Sequence, residues 1–512
     1  MPNASRTTGG ILLAGLAMSV GWGIRGDYGH EAGAMIPGAL LGLAVCLAGG
    51  REDWWRRASI MGMCGAIGWA FGGQMSYGRI IGYTASSSLP DVFYGYACLF
   101  VIGGLWAGIG SAILAMGVTE PSSYLGRFAR PLVVLGLVWC ASSVSGVAHH
   151  LTDRWSLHDT DWVGASSSLL VAVVCAMLIP TDRGACGFVA VLALGWWAGY
   201  LVLTVLLHLH MTPPRSDNWA GSIGLFIALI LYLRRHGNRV AVTAAGWGVL
   251  IGGIGFVLGD LLNMLGRAQW GPIGRYGILQ GLDYWKWMEQ SFGLVMGLGV
   301  GAVFVLRIAP RSPGPAEDSP SRWLRTVSLI LLAPVMMWLN LSKNVTNWVS
   351  GNHVPGEVLG IASTGWFLAI GVLLAAASMV AIVRQHQGAL AMSPGGGFGR
   401  AQLLFLTILW VFTVGASMQV FPAMTGRGTF LVQVSFWITA GICSVLVLAL
   451  TGQPARKPAA VDSWRLGPRF WVQLCLVPLL LLAIAWMTVA SHREPLPGSH
   501  LRFDTPLAPT SP

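Results

Sequence analysis

The segment Gly21–Gly38 has the sequence GWGIRGDYGHEAGAMIPG and joins two apolar runs, each about long enough to cross a bilayer. Four ionisable residues, spaced by glycines, lie between the runs: Arg25, Asp27, His30 and Glu31. Charged side chains are costly near hydrocarbon and remain there when they are paired or serve a function. The segment therefore predicts two membrane helices that meet at an ionisable site.

The composition of the 512-residue chain extends this prediction to the whole protein. Hydrophobic residues make up 54% of the chain and charged residues only 10%, whereas about a quarter of the residues of a soluble domain are charged. Apolar runs of about 16–25 residues recur along the chain. The 69 glycines, for example Gly103 and Gly293, suit helices that pack closely through small residues. We expect an all-α polytopic integral membrane protein with about 15 transmembrane helices.

The positions of Lys and Arg in alternate loops predict the orientation of the chain. The set of loops that includes the N-terminus holds 20 of the 31 basic residues, and loops rich in Lys and Arg stay in the cytoplasm. We therefore expect a protein of the cell inner (plasma) membrane, with its N-terminus in the cytoplasm and its C-terminus outside. The same distribution explains the net charge of +11 without a nucleic-acid partner. Membrane lipids are the expected partners, and the oligomeric state stays open.

A glycine-rich pattern occurs twice. GAIGWAFGG at 65–73 leads to Gly78-Arg79, and GGIGFVLGD at 252–260 leads to Gly266-Arg267. Such self-similarity predicts two parallel six-helix repeats, a plan found in secondary transporters. Chance matches between glycine-rich helices are the alternative. The predicted units are listed here: the repeats 1–185 and 186–385, a three-helix C-terminal bundle 386–490, and a Pro-containing tail 491–512.

The charged turn at Gly21–Gly38 is the first candidate site. Asp27 can pair with Arg25, His30 titrates near neutral pH, and Glu31 begins a helix, where a carboxylate is stabilised. Asp27, His30 and Glu31 are therefore candidates for catalytic or proton-relay roles. The alternative is a structural turn in which the charges neutralise one another.

The second candidate site lies between residues 260 and 289, where charged residues occur among Trp and Tyr side chains. Asp283, Lys286 and Glu289 follow one another at intervals of three, so on a helix they share a face. Together with the first turn, this region supplies the candidate substrate-binding residues Arg25, Arg79, Asp260, Arg267, Asp283, Lys286 and Glu289. An aromatic belt at the membrane interface is the alternative interpretation.

The cysteines and histidines predict neither a metal nor a cofactor. Most of the eight cysteines lie in apolar runs and no CxxC occurs, so neither a disulfide framework nor a thiolate zinc site is indicated. A loop with His149, His150, Asp153 and His158 carries enough metal ligands, although without a recognised spacing. An exposed polar loop is the simpler interpretation.

Three functions remain open at this point. The first is a transporter of a polar or anionic small solute, either coupled to protons or not. The second is a membrane-embedded enzyme at the outer face, which transfers a sugar or acyl group from a lipid carrier. The third is a membrane scaffold or assembly subunit. Whether the protein is an enzyme is therefore undecided, and its partner is either a small polar solute or a lipid-linked substrate.

Overall fold

Among the residues that it describes, the computed structural model is 83% helical, with nearly no strand. It describes residues 4–29, 31–73, 75–155, 161–213, 217–312, 314–315, 321–352, 354–386, 399–420, 427–450, 464–492 and 494–503. The helices are α1 (Ala4–Tyr28), α2 (Glu31–Ala48), α3 (Glu52–Arg56), α4 (Ala58–Gly73), α5 (Gly78–Thr84), α6 (Leu89–Thr119), α7 (Ser122–Gly126), α8 (Ala129–Val144), α9 (Val147–Trp155), α10 (Asp161–Leu178), α11 (Arg183–Gly199), α12 (Asp217–Arg235), α13 (Arg239–Arg267), α14 (Pro272–Arg275), α15 (Tyr284–Ala302), α16 (Ala309–Arg311), α17 (Arg322–Ile330), α18 (Met336–Ser350), α19 (Ser363–His386), α20 (Arg400–Val420), α21 (Arg427–Ala449) and α22 (Pro468–Ser491).

Several helices continue into tighter or wider turns. A 3₁₀ turn, Pro180–Asp182, precedes α11, and π-helical segments follow α11, α15 and α17 at Tyr200–Leu206, Val303–Ile308 and Leu331–Val335. Two short antiparallel strands, β1 (Glu357–Val358) and β2 (Ile361–Ala362), pair Glu357 with Ala362.

The predicted class, an all-α multi-pass membrane protein, agrees with this architecture. Within the described residues, 11 helices are long and apolar enough to cross a membrane, and three shorter apolar helices accompany them. The shorter ones are Ala32–Ala48, Ala58–Gly73 and Ser363–Leu373. The finer predictions, about 15 spans and two six-helix repeats, stay predictions.

Six helices form a closed ring at the centre of the protein. In order around the ring they are α1, α2, α4, α6, α13 and α15, and α15 packs against α1 to complete it. Glycines set the close approach of neighbouring helices. A side chain at Gly38 or at Gly65 would collide with the carbonyl of the other glycine, and the same holds for Gly103 and Gly252. A Cβ at Gly293 would meet the backbone of α1. The predicted packing through small residues at Gly103 and Gly293 is therefore confirmed.

Four aromatic side chains fill the interior of the ring, and we call them the aromatic core. The centroid of Trp22 lies 4.7 Å from that of Trp106 and 4.8 Å from that of Phe292. Phe256 closes the circuit, 5.0 Å from Trp106 and 4.6 Å from Phe292. All four are fully buried. Packed rings rather than an open channel therefore occupy the ring at this level.

The remaining helices pack around the ring. The helices of the predicted C-terminal bundle contact it directly: α20 packs on α1 and α2, α21 on α1, and α22 on α6 and α13. Helices α10, α11 and α12 pack on one another, and α17 packs on α4.

The two ends of the ring differ in character. At one end, Arg51 is buried, pairs with Asp53 at 2.6 Å and donates to the carbonyls of Ala309 and Ser312. Arg57 similarly donates to two carbonyls at the end of α6. These predicted cytoplasmic bases satisfy helix C-termini, whose last carbonyls lack partners within the helix. The opposite end, which we call the Asp27 end, carries the candidate sites.

Candidate functional site

The end of α1 and the start of α15 bring the two candidate sequence regions together. Arg25 and Asp27 lie in the last turn of α1, and Lys286 and Glu289 lie in the first turns of α15. The side chain of Asp283 caps α15 by accepting a hydrogen bond from the backbone N–H of Lys286 at 3.2 Å. This cap fixes where the helix begins, and therefore which face of α15 meets α1.

Lys286 is the central cation of the site. Its Nζ donates to Oδ1 of Asp27 at 2.9 Å and to the carbonyl of Gly23 at 3.1 Å. The same nitrogen lies 3.7 Å from Oε2 of Glu289. The Lys286 side chain is 19% exposed, that of Asp27 13% and that of Glu289 only 2%. One ammonium group thus bridges two carboxylates that are largely withdrawn from solvent.

Tyr77 supplies the hydrogen bond that holds Glu289. Its hydroxyl donates to Oε1 of Glu289 at 2.5 Å, and the tyrosine is itself buried. The Tyr77 ring also packs against Trp106 and Phe256 of the aromatic core, at 5.7 and 5.1 Å. Glu289 is therefore oriented by a side chain that rests directly on the aromatic core.

Arg25 lies between the carboxylates and the aromatic core. Its guanidinium donates to the carbonyl of Gly73 at 2.8 Å. It stands 5.5 Å from the ring centroid of Trp22 and 5.9 Å from those of Tyr77 and Trp106. Aromatic faces attract cations, and this attraction compensates part of the cost of burying the guanidinium. We call Arg25, Asp27, Tyr77, Lys286 and Glu289 the ionic cluster.

The ionic cluster balances its charges but leaves some polar atoms unsatisfied. With two cations and two carboxylates it is neutral overall when all four groups are ionised. Oδ2 of Asp27, Oε2 of Glu289 and Nε of Arg25 are nevertheless buried without a hydrogen-bond partner among the described residues. Buried polar atoms are normally satisfied, and exceptions concentrate at strained or functional sites. The cluster therefore keeps hydrogen-bonding capacity that a proton, a water molecule or a polar ligand atom could use.

Asp260 belongs to a different group of side chains. It is fully buried, accepts from the Thr84 hydroxyl at 2.6 Å and accepts from Nδ2 of Asn263 at 3.1 Å. Of the candidate residues from this region, Lys286 and Glu289 contact the turn at Asp27, whereas Asp260 bonds within its own group. The candidate binding residues thus divide between two neighbouring places.

A cleft of about 340 Å³ opens at the Asp27 end, between the end of α13 and the start of α15. Its lining residues are Asn263, Gly266, Arg267, Gln269, Gly281, Leu282, Asp283, Tyr284 and Trp285. Trp285 stacks on Tyr77 with a centroid distance of 5.7 Å and an interplanar angle of 18°. The cleft is therefore joined to the ionic cluster by two stacked rings.

Arg79, another candidate residue, is exposed on α5.

Two of the candidate catalytic residues cannot be placed in this site. His30 lies outside the described residues, and Glu31 is described only as the first residue of α2. Asp27 is the one candidate of the three whose side-chain contacts are known. Conversely, Tyr77 and Asn263 are not among the candidate site residues that the sequence predicts. The one signal for Tyr77 was its place just before the Gly78-Arg79 pair of the proposed repeat.

The His-rich loop is described only in part. His149, His150 and Asp153 lie on α9, and His158 lies outside the described residues. No group of three or more His, Cys, Asp or Glu side chains that could hold a metal ion occurs in the described ranges.

The fold and site define a multi-pass α-helical membrane protein with a buried ionic cluster at one end of a six-helix ring. No protein-family model, no curated protein and no solved structure matches the chain.

Proposed function

We propose that the protein is a proton-coupled transporter of a small polar or anionic solute. The observation that carries the proposal is Lys286, whose ammonium group bridges the buried carboxylate of Glu289 on α15 and the partly buried carboxylate of Asp27 on α1. Ionisable side chains at membrane depth commonly form proton relays and ion pathways.

Protons act on the contact between α1 and α15 in this mechanism. When both carboxylates are ionised, Lys286 attracts both and ties the start of α15 to the end of α1. Glu289 lies on the same helix as Lys286, so its protonation leaves Lys286 paired with Asp27 alone. Protonation of Asp27 then breaks the ion pair that spans α1 and α15, and the two helix ends separate more readily. A solute that binds the separated state better would shift the equilibrium toward it. Proton binding and solute binding are thereby linked.

The full proposal includes the finer sequence predictions. The chain crosses the inner (plasma) membrane about 15 times, with its N-terminus in the cytoplasm and its C-terminus outside, and contains two six-helix repeats. Asp27, His30 and Glu31 exchange protons at the Asp27 end. Solute contacts come from Arg25, Arg79, Asp260, Arg267, Asp283, Lys286 and Glu289.

The test is proton movement in liposomes that contain the purified protein and the pH dye pyranine. A potassium diffusion potential is imposed, and mixtures of amino acids, monocarboxylates or inorganic phosphate are added outside. We expect one mixture to cause a pH change inside. Glu289→Gln should abolish this change, because glutamine can keep the Tyr77 hydrogen bond but cannot exchange a proton. Radiolabelled solute exchange should persist in that variant, weakened only by the loss of one charged solute contact.

The matched control is Glu52→Gln, which removes an exposed carboxylate paired with Arg56 at the opposite end. It should leave proton movement unchanged. A Glu289→Gln variant that moves protons as fast as the wild type would refute the coupling mechanism.

The cleft supports a second candidate, an enzyme at the outer face that uses a lipid-linked substrate. It is open at the Asp27 end and combines Arg267 and Asp283 with the rings of Tyr284 and Trp285. In this alternative Asp27 or Glu31 is the base, and the cationic residues bind a phosphate. Incubation with a polyprenyl-phosphate-linked sugar followed by mass spectrometry separates the two functions, since only the enzyme releases a new product.

A further inference from the structure

One residue that lines the cleft carries a buried amide with an unsatisfied oxygen. Asn263 is fully buried, and its Nδ2 donates to Oδ1 of Asp260 at 3.1 Å. Since a carboxylate oxygen accepts hydrogen bonds, the NH₂ of the amide must face Asp260. The amide group is planar, so its oxygen points in a different direction from the NH₂ group that faces Asp260. This oxygen has no hydrogen-bond partner among the described residues.

Asp260 is itself held in place, so the amide orientation is fixed. Its second oxygen accepts from Thr84 at 2.6 Å, which leaves its Oδ1 for Asn263. A buried acceptor without a donor carries a free-energy cost, because it has lost its hydrogen bond to water. Asn263 lines the cleft, so an N–H or O–H donor that reaches its oxygen from the cleft would recover this cost.

The walls of the cleft carry one group of each charge. Arg267 lies four residues after Asn263 on α13, so the two share a helix face with about 5–6 Å between their Cβ atoms. One N–H group of Arg267 donates to the carbonyl of Pro497, and a guanidinium carries five donors. Asp283 lines the opposite wall, beside Tyr284 and Trp285. Carboxylates and aromatic rings both attract ammonium groups.

We propose that this cleft binds a small zwitterion whose ammonium group and anionic group are separated by only a few bonds. The anionic group meets Arg267, and the ammonium group donates to the oxygen of Asn263 and faces Asp283. The volume of about 340 Å³ lies at the small end of the range for ligand pockets. Free amino acids and the phosphoethanolamine headgroup of a lipid share this chemistry.

The zwitterion site rests on the proposed transport function and gives its substrate class. Trp285 lines the cleft and stacks on Tyr77, which donates to Glu289. A ligand that packs against Trp285 therefore contacts the ring that stacks on Tyr77, and Tyr77 orients the carboxylate of Glu289.

The test is isothermal titration calorimetry on the full-length protein in nanodiscs of phosphatidylglycerol and phosphatidylcholine. The titrants are L-serine and O-phosphoethanolamine, with acetate and ethanolamine as single-charge controls. We expect at least one zwitterion to bind at least tenfold more tightly than either control. Asn263→Leu and Arg267→Gln should each weaken binding tenfold or more, and Arg267→Lys should retain most of it. Arg275→Gln, which changes an arginine outside the cleft lining, should bind as the wild type does.

The outcomes distinguish a lipid headgroup from a soluble ligand, and failure of the zwitterion site from failure of the transport mechanism. Nanodiscs that contain phosphatidylethanolamine should weaken L-serine binding if a lipid headgroup is the natural ligand, and leave it unchanged if the ligand is soluble. Equal binding of acetate and the zwitterions, or no binding of any titrant, would overturn the zwitterion site. If Asn263→Leu fails to fold, Arg267→Gln carries the test, and unchanged binding in that variant overturns the site. Zwitterion binding without proton movement would leave this site standing and refute the proposed transport mechanism.

Discussion

Nζ of Lys286 lies 2.9 Å from Oδ1 of Asp27 and joins two residues 259 positions apart in the chain. The same ammonium group faces Glu289, so a single side chain neutralises carboxylates from both α1 and α15. Burying charges is costly, and a broken buried pair costs more than the intact pair contributes. Lys286 is therefore the residue whose removal should disturb this end of the ring most.

Lys286→Met should lower the free energy of unfolding by about 3–5 kcal/mol, because it leaves two carboxylates without their cation. The measurement is the unfolding transition in mixed detergent micelles. The double variant Lys286→Met with Asp27→Asn should recover part of this loss, since one uncompensated charge is then absent. A Lys286→Met protein as stable as the wild type would contradict the buried ion pair.

Tyr77→Phe should reduce proton movement while it preserves the packing of the aromatic core. The phenylalanine ring can keep the contacts with Trp106, Phe256 and Trp285, but it loses the 2.5 Å hydrogen bond to Glu289. Loss of a donor to a buried carboxylate costs about 1–3 kcal/mol. The pyranine assay measures proton movement, and a thermal unfolding curve measures the stability of the protein. Tyr276→Phe, at an exposed tyrosine, is the control and should change neither.

Asp91 should hold the C-terminal tail against the Asp27 end. Its Oδ1 accepts hydrogen bonds from the backbone N–H groups of Arg502 at 2.7 Å and Phe503 at 3.0 Å, and the side chain is fully buried. The backbone of the tail also donates to the carbonyls of Ala85 and Gly82. Asp91→Ala should release the end of the tail and speed its cleavage by a protease added to the protein in detergent micelles. Cleavage at an unchanged rate would show that other contacts suffice.

The matched control for Asp91→Ala is Glu494→Gln, which changes an exposed carboxylate within the tail itself. It should leave the cleavage rate as it is in the wild type. Faster cleavage in this control would mean that the tail is held by its overall charge rather than by Asp91.

The sequence was sufficient for the membrane class and for four of the five residues of the ionic cluster. Apolar runs identify helices because hydrocarbon requires every backbone group to be satisfied within the segment. Arg25, Asp27, Lys286 and Glu289 were identifiable because charge is rare in such segments. That these four side chains lie in one cluster could not be predicted, since it depends on how α1 and α15 pack.

Tyr77 and Asn263 show where sequence reasoning ends. Neither carries a charge, and 10 tyrosines occur in the chain, so residue type alone selects neither. What distinguishes Tyr77 is its contact with Glu289, and what distinguishes Asn263 is an oxygen left over after Asp260 has taken its NH₂ group. Both are properties of long-range packing. Similarly, the sequence predicts Asp260 as a substrate-binding residue, but its carboxylate accepts a hydrogen bond from Thr84 on α5.

His492 should make the attachment of the tail depend on pH. It follows α22, and its Nε2 contacts the carbonyl of Ser86 at 3.1 Å. Burial lowers the pKa of His492 below its usual 6.5, the hydrogen bond to Ser86 opposes this shift, and the charge of Arg267 adds to it. The folded protein therefore favours the neutral imidazole. The stability that His492 contributes is present above about pH 6.5 and is lost as the pH falls through the lowered pKa.

Hydrogen exchange of the backbone amides in residues 494–503 measures this effect. After correction for intrinsic rates, these amides should exchange faster at about pH 5 than at about pH 7.5, because burial, and to a smaller extent the charge of Arg267, disfavours the protonated imidazole. His492→Gln can keep a donor for the Ser86 carbonyl but cannot titrate, so it should remove most of the difference. If the variant shows the same pH dependence as the wild type, a group other than His492 controls the tail.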